Sequence, residues 1–116
     1  MGAQSGEKRR HQRFTMALPL EIWHQGQRFS IRGETSDVSA SGFYYPTMMQ
    51  MPRDVVVTAK IWFGEKSLHC NAAVRTSDPG VGNGIEFVDL DQPSRDAWMN
   101  FLGGLEPAQS PELASN

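Results

Sequence analysis

Residues 55–75, with the sequence VVVTAKIWFGEKSLHCNAAVR, decide the fold of this chain. Apolar side chains alternate with mostly polar ones on both sides of Gly64-Glu65-Lys66, and this two-residue period is typical of strands with one buried face. The glycine-led triplet is typical of a turn. The stretch therefore predicts a β-hairpin. Its inward-facing residues are Val55, Val57, Ala59, Ile61 and Phe63 on the first strand, and Leu68, Cys70, Ala72 and Val74 on the second.

The same strand period recurs on both sides of this hairpin. Residues 18–23 and 28–32 predict two earlier strands, 43–45 a short aromatic strand, and 85–88 a last strand. Residues 78–84, rich in glycine, predict a flexible connection before that last strand. Six short strands with tight connections favour a small closed antiparallel β-barrel, because closure removes exposed sheet edges.

One helix is predicted after the strands, over residues 93–102. Pro93 suits the first turn of a helix, Asp91 or Gln92 could cap it, and Gly103-Gly104 ends it. Its apolar stripe consists of Trp98, Phe101 and Leu102, at positions i, i+3 and i+4. The fold class predicted from the sequence is thus all-β, a small six-stranded antiparallel β-barrel with a C-terminal α-helix.

Length and composition fit one domain of a cytoplasmic protein. The 116 residues suffice for a single core, and no apolar run approaches the roughly 20 residues of a membrane-spanning helix. The N-terminus lacks the apolar segment of a signal peptide. Cys70 is the only cysteine, which excludes an internal disulfide, and the three histidines lack metal-ligand spacing, so no metal or cofactor is expected.

Charge divides the chain into an arm, a body and a tail. Residues 1–13 carry four positive side chains and one negative, whereas residues 14–116 carry seven positive and twelve negative. We therefore predict a flexible basic arm over 1–13, a barrel with its terminal helix over 14–103, and a disordered tail over 104–116. A basic arm on an acidic body suits a small anionic ligand better than a long polyanion, although such runs are often only solubilising tails.

Two short motifs carry the candidate chemistry. Arg9-Arg10-His11-Gln12-Arg13 places two arginines four residues apart, and Asp37-Val38-Ser39-Ala40-Ser41-Gly42 places oxygen-bearing side chains before a glycine. Arginine offers a planar fork of donors that fits phosphate or the O6 and N7 edge of guanine. An ionised aspartate only accepts hydrogen bonds, so it suits guanine N1–H and N2–H₂ or an arginine rather than a phosphate. Together the motifs are a plausible cradle for a phosphorylated purine.

Simpler explanations exist for each motif. The Asp37–Ser39 segment could be an ordinary turn stabilised by its own side chains, and Gly42 could be a bulge glycine. The arginine run could be a solvated tail. Arg10 is either an additional phosphate partner or merely solvated.

The order and spacing of these motifs resemble the PilZ family of bacterial cyclic di-GMP receptors. Arg9 and Arg13 match the family's RxxxR pair, and Asp37, Ser39 and Gly42 match its Asp/Asn-x-Ser-x-x-Gly motif. Gly84-Ile85-Glu86-Phe87 lies where the family has its glycine-led final strand. The resemblance implies that Arg9, Arg10, Arg13, Asp37, Ser39 and Gly42 bind cyclic di-GMP.

The function implied by this resemblance is that of a receptor or adaptor. It would order its N-terminal arm on binding the ligand and signal to an unidentified effector protein, without DNA, RNA or membrane insertion. Enzymatic activity is not expected, because no histidine, carboxylate pair or glycine loop stands in a catalytic pattern. The alternatives are a protein-interaction adaptor that binds no nucleotide and, less favoured by the acidic body, a barrel that binds single-stranded nucleic acid.

Overall fold

Eight antiparallel strands and one helix make up the part of the chain that the structure, a computed structural model, describes, residues 12–25 and 27–105. The strands are β1 (Arg13–Thr15), β2 (Pro19–His24), β3 (Ile31–Glu34), β4 (Asp37–Ser39), β5 (Gly42–Pro46), β6 (Val56–Phe63), β7 (Lys66–Asp78) and β8 (Gly82–Phe87); the helix is α1 (Gln92–Gly103). They form one curled sheet, a half-barrel, with the order β1-β4-β5-β8-β7-β6-β2-β3. The predicted all-β class with a C-terminal helix is confirmed.

The sheet has eight strands where the sequence predicted six, because one long hairpin bends. The ladder β1–β4 and the ladder β2–β3 are two parts of this hairpin, interrupted at residues 16–18 and 35–36. Backbone hydrogen bonds from Met16 N to Ser36 O and from Thr35 N to Leu18 O, both 3.0 Å, continue the pairing across the interruption. The two ends of the strand order therefore belong to one bent hairpin, and this bend curls the sheet.

The hairpin predicted from residues 55–75 is present as β6 and β7. Ala59 lies opposite Cys70 and Val57 opposite Ala72, and alternate side chains of β6 are buried. Strand β7 continues past the predicted end to Asp78, with an irregularity in its pairing with β8 between Val74 and Thr76. The connection predicted as flexible over 78–84 is therefore a turn at residues 79–81, and Gly82–Gly84 already pair within the sheet.

Helix α1 covers one side of the core. Asp91 is its N-cap and accepts a 2.8 Å hydrogen bond from Ser94 N, and this bond lowers the pKa of the Asp91 carboxyl. Trp98 and Leu102 are buried, as the apolar stripe predicted, and Trp98 contacts the rings of Phe63 and Phe87 edge-on. The helix is too short and too polar to cross a membrane, and it is the one helix among the described residues.

Both predicted boundaries of the barrel shift by one or two residues. Arg13, predicted in the arm, is the first residue of β1, because it pairs with Ser39. Gly104 and Leu105, predicted in the tail, continue the cap of the helix: Leu105 N donates to Leu102 O at 3.0 Å, and its side chain packs on the core. The rest of the predicted arm and tail, residues 1–11 and 106–116, lies outside the described part of the chain.

Candidate functional site

The candidate site is the outer face of the sheet across β1, β4, β5, β8 and β7. Alternation buries or half-buries Phe14, Val38, Phe43 and Ile85 on the inner face and leaves their neighbours on the outer face. The pairing registers then place outer residues in rows that run across the strands. One row is Arg13, Ser39, Gly42, Glu86 and Ala73, and the next is Thr15, Asp37, Tyr44, Gly84 and Thr76.

Arg13 and Asp37 form an ion pair at one border of this face. Arg13 Nη2 donates to Asp37 Oδ2 at 2.9 Å, and both side chains are about one-third exposed, at 38% and 30%. The short strand β1 creates this contact by pairing with β4, which carries the second motif. The structure thus brings together one residue from each of the two motifs that the sequence singled out.

Ser39 is held at the tight turn between β4 and β5. Its hydroxyl accepts a 3.3 Å hydrogen bond from Ser41 N and lies 3.3 Å from the Ser41 hydroxyl, so the simpler interpretation of a serine-stabilised turn describes this residue. Its backbone carbonyl accepts a 2.9 Å hydrogen bond from Trp98 Nε1. The end of the motif strand is therefore tied to the buried face of α1.

Gly42 is required by the close approach of β8. A Cβ atom at this position would lie 2.0 Å from the carbonyl oxygen of Ile85 and 2.9 Å from Glu86 Cα. Gly42 pairs with Ser39 and Glu86 in regular register, so it is a close-contact glycine and not a bulge glycine. The position is buried, and the backbone of β8 occupies the space that a side chain would need.

Tyr44 lies in the middle of the face and was not among the residues predicted to bind. It stands opposite Asp37, its hydroxyl donates to Asp78 Oδ2 at 2.7 Å, and a Cβ atom at Gly82 would lie 2.6 Å from its ring. Burial, together with the hydrogen bond and charge of Asp78, raises the pKa of Tyr44 to about 12. Strand alternation from Gly42 would have found it, and an aromatic ring here offers a surface on which a base can stack.

Arg75 and Glu86 form a second ion pair at the far border of the face. Arg75 Nε donates to Glu86 Oε1 at 2.7 Å, and this hydrogen bond is the main reason that the pKa of Arg75 is raised. Glu86 lies directly opposite Gly42. Neither residue was predicted to bind a ligand, and the registers of β8 with β5 and β7 bring them to this face.

Four of the six predicted ligand residues are gathered here, namely Arg13, Asp37, Ser39 and Gly42. Arg9 and Arg10 lie outside the described residues. The assembled groups are guanidinium donors and carboxylate and hydroxyl acceptors, a set suited to reversible binding of a base and a phosphate. Within residues 12–25 and 27–105, no three His, Cys, Asp or Glu side chains are grouped so as to hold a metal ion.

Comparison with known protein families matches residues 7–104 to the model described as the PilZ domain. The chain belongs to the PilZ family. The match spans both motifs and the helix, so the family resemblance noted in the sequence is confirmed.

Two solved structures share the PilZ fold of this chain. One is the Bacillus subtilis inhibitor of motility MotI/DgrA, at 17% identity and a TM-score of 0.67, over 80% of this chain and 48% of that one. The other is the PilZ domain of CeSA from a cellulose-synthesizing bacterium, at 17% identity and a TM-score of 0.60, over 78% of this chain and 95% of that one. The chain therefore spans about half the length of MotI/DgrA. No curated protein matches it.

Proposed function

We propose that this PilZ domain is a cytoplasmic cyclic di-GMP receptor without enzymatic activity that signals to a partner protein. The observation that carries the proposal is the Arg13–Asp37 ion pair of 2.9 Å beside Ser39. Membership of the PilZ family supports the same ligand.

The chemistry of the pair fits a guanine nucleotide. A guanidinium donates to the O6 and N7 atoms of guanine or bidentately to a phosphate. A carboxylate accepts from guanine N1–H and N2–H₂. Arg13 and Asp37 supply both groups within hydrogen-bonding distance of each other, and both remain partly exposed to solvent.

The basic arm supplies the remaining positive charge in this proposal. Arg9 and Arg10 precede β1 by three to four residues, which places their backbone within about 15 Å of Arg13. We propose that the ligand phosphates draw these side chains onto the outer face and order the arm, an order–disorder switch. Amide hydrogen exchange across residues 5–14 should slow on addition of cyclic di-GMP. Equal exchange with and without ligand would contradict this switch.

Binding isotherms test the receptor assignment. Arg9→Ala and Arg13→Ala should each weaken cyclic di-GMP binding about 10- to 100-fold, because each removes a charge-assisted fork of donors. Arg9→Lys and Arg13→Lys should bind cyclic di-GMP only slightly more tightly than the alanine variants, since lysine retains the charge but not the planar geometry. Asp37→Ala and Ser39→Ala should weaken binding too, with some loss of stability because both side chains bond within the sheet edge.

The controls separate the receptor from its alternatives. GTP, cyclic di-AMP and a single-stranded oligonucleotide should bind weakly or not at all. Tight binding of the oligonucleotide would support a nucleic-acid-binding barrel, and no binding of any nucleotide would support an adaptor that acts through protein contacts alone. The receptor assignment fails if Arg9→Ala and Arg13→Ala both bind cyclic di-GMP as the unmodified protein does.

A further inference from the structure

Two arginine–carboxylate pairs border the outer face, one on each side. At the near border Arg13 donates to Asp37 at 2.9 Å, and at the far border Arg75 donates to Glu86 at 2.7 Å. The side chains of the far pair are half exposed, at 50% and 46%. Both pairs therefore present donors and acceptors to a molecule that lies on this face.

The two pairs stand on opposite sides of strand β5. Asp37 belongs to β4 and Glu86 to β8, and both strands pair with β5. Neighbouring strands are about 4.8 Å apart, and the two residues are offset by two positions along the strands, so their Cα atoms are roughly 12 Å apart. Gly42 lies on β5 directly opposite Glu86 and, as a glycine, adds no side chain to this face.

The local backbone aims Arg75 at this face. It is the extra residue where the register of β7 shifts between Val74 and Thr76, and bulges of this kind redirect side chains, often beside functional sites. Asp54 Oδ1 lies 3.5 Å from Arg75 Nη1, and Asp54 has a φ of +69°, a conformation that aspartate adopts more readily than most residues. Arg53 Nε donates to the Arg75 carbonyl at 3.1 Å.

A guanidinium beside a carboxylate is complementary to one guanine base. The guanidinium donates to O6 and N7, and the carboxylate accepts from N1–H and N2–H₂. Adenine presents an amino donor where guanine presents O6, so it would face the arginine with a donor. Each pair therefore favours guanine over adenine, and two pairs favour a ligand with two guanines.

We propose that Arg75 and Glu86 form a second guanine subsite, which binds one base of a cyclic di-guanylate while the Arg13–Asp37 pair contacts the other. The proposal rests on the proposed function, since it takes cyclic di-GMP as the ligand. It adds the selectivity of the site: the face distinguishes a ligand with two guanines from one with a single guanine.

Titration calorimetry with cyclic di-GMP and with the hybrid cyclic GMP–AMP tests the second subsite. The unmodified full chain should bind cyclic di-GMP about 10- to 100-fold more tightly than the hybrid, the discrimination expected of one well-formed base contact. Arg75→Ala and Glu86→Gln should lose most of this preference, because without the second subsite only the guanine at the Arg13–Asp37 pair is bound selectively. Because Glu86→Gln preserves the side-chain shape, its selectivity can still be measured if Arg75→Ala lowers stability.

Arg32→Ala is the matched control. Arg32 is also a surface arginine paired with a carboxylate, Glu21 at 3.3 Å, but it lies on β3 at the other end of the strand order. This variant should bind both ligands as the unmodified protein does. Melting curves on all variants will show that they are folded.

The outcomes separate the two proposals. If the unmodified protein binds cyclic di-GMP and the Arg75 and Glu86 variants keep its full preference, the second subsite is wrong and the receptor function stands. A change in melting temperature without a change in selectivity would likewise mean that the Arg75–Glu86 pair only stabilises the fold. If the unmodified protein binds neither cyclic dinucleotide, both proposals fall.

Discussion

At the scale of single residues, Gly42 shows how tightly the motif is built into the fold. It pairs with Ser39 on one side and Glu86 on the other, in a space that a Cβ atom would overfill. The glycine of the motif therefore permits the close packing of β5 against β8.

We expect Gly42→Ala to destabilise the protein by about 1–3 kcal/mol or more, because the new methyl group would overlap the Ile85 carbonyl. Urea unfolding measures this change. Gly103→Ala is the control: nothing lies within 4 Å of a Cβ atom there, so this variant should be neutral or up to about 1 kcal/mol more stable. Similar free energies of unfolding for the two variants would contradict the close-contact interpretation.

Tyr44 gives a second prediction, in pH dependence. Its pKa is raised to about 12 in the folded protein, against about 10 in an unfolded chain. Between these values the folded state holds the proton more strongly, so stability is fully present below pH 10 and declines towards pH 12.

Tyr44→Phe should reduce this alkaline decline, since phenylalanine does not ionise. The measurement is the free energy of unfolding of both proteins at pH 8 and at pH 11. The other tyrosine and the lysines are the same in both proteins, so their ionisation contributes equally. Parallel declines would mean that Tyr44 ionises at an ordinary pH in the folded state.

At the scale of elements, helix α1 is the part of the fold that contacts the second motif from inside. Trp98 is fully buried among aromatic rings and donates its indole N–H to the Ser39 carbonyl. The helix therefore helps to hold the strand end on whose outer face the ligand is proposed to bind.

Trp98→Phe should cost about 1–3 kcal/mol of stability, because the partly buried Ser39 carbonyl loses its donor while most of the ring packing remains. It should also weaken cyclic di-GMP binding by loosening the strand end. Urea unfolding and binding isotherms measure the two effects. Met99→Ala, on the exposed side of the same helix, should change stability by no more than about 0.5 kcal/mol. A Trp98→Phe protein as stable as the Met99→Ala control would mean that the hydrogen bond contributes little.

At the scale of the whole molecule, the proposed site draws on strands that are distant in sequence. Residues from β1, β4, β5, β7 and β8 meet on one face, so a ligand that contacts both borders would link the first described strand to the last. Such a ligand binds the folded state alone, because the unfolded chain lacks this arrangement.

Cyclic di-GMP at about 100 times its dissociation constant should therefore stabilise the protein by about 2.7 kcal/mol. For a domain of this size the melting temperature should rise by roughly 10 °C or more. Differential scanning calorimetry measures the shift, with GTP and cyclic di-AMP as controls that should give little. A comparable shift with either control would contradict selectivity for a ligand with two guanines.

The sequence alone was sufficient for the class of the fold and for the residues of the two motifs. The strand period of residues 55–75 predicted β6 and β7, and the spacing of Trp98, Phe101 and Leu102 predicted the buried side of α1. These patterns are readable because burial repeats with the local period of a strand or a helix. The two motifs are short, contiguous segments of sequence, so their residues could be named without knowledge of the fold.

Only the tertiary structure decided which residues share a face. The bend at residues 16–18 and 35–36, the pairing of Arg13 with Ser39, and the positions of Tyr44, Arg75 and Glu86 depend on the register between strands that lie far apart in the sequence. Register is set by cross-strand packing and hydrogen bonds, and a shift of one residue would turn every side chain of a strand to the other face. No local sequence pattern indicates the register, so the Arg75–Glu86 pair could be placed at the border of the proposed site only from the fold.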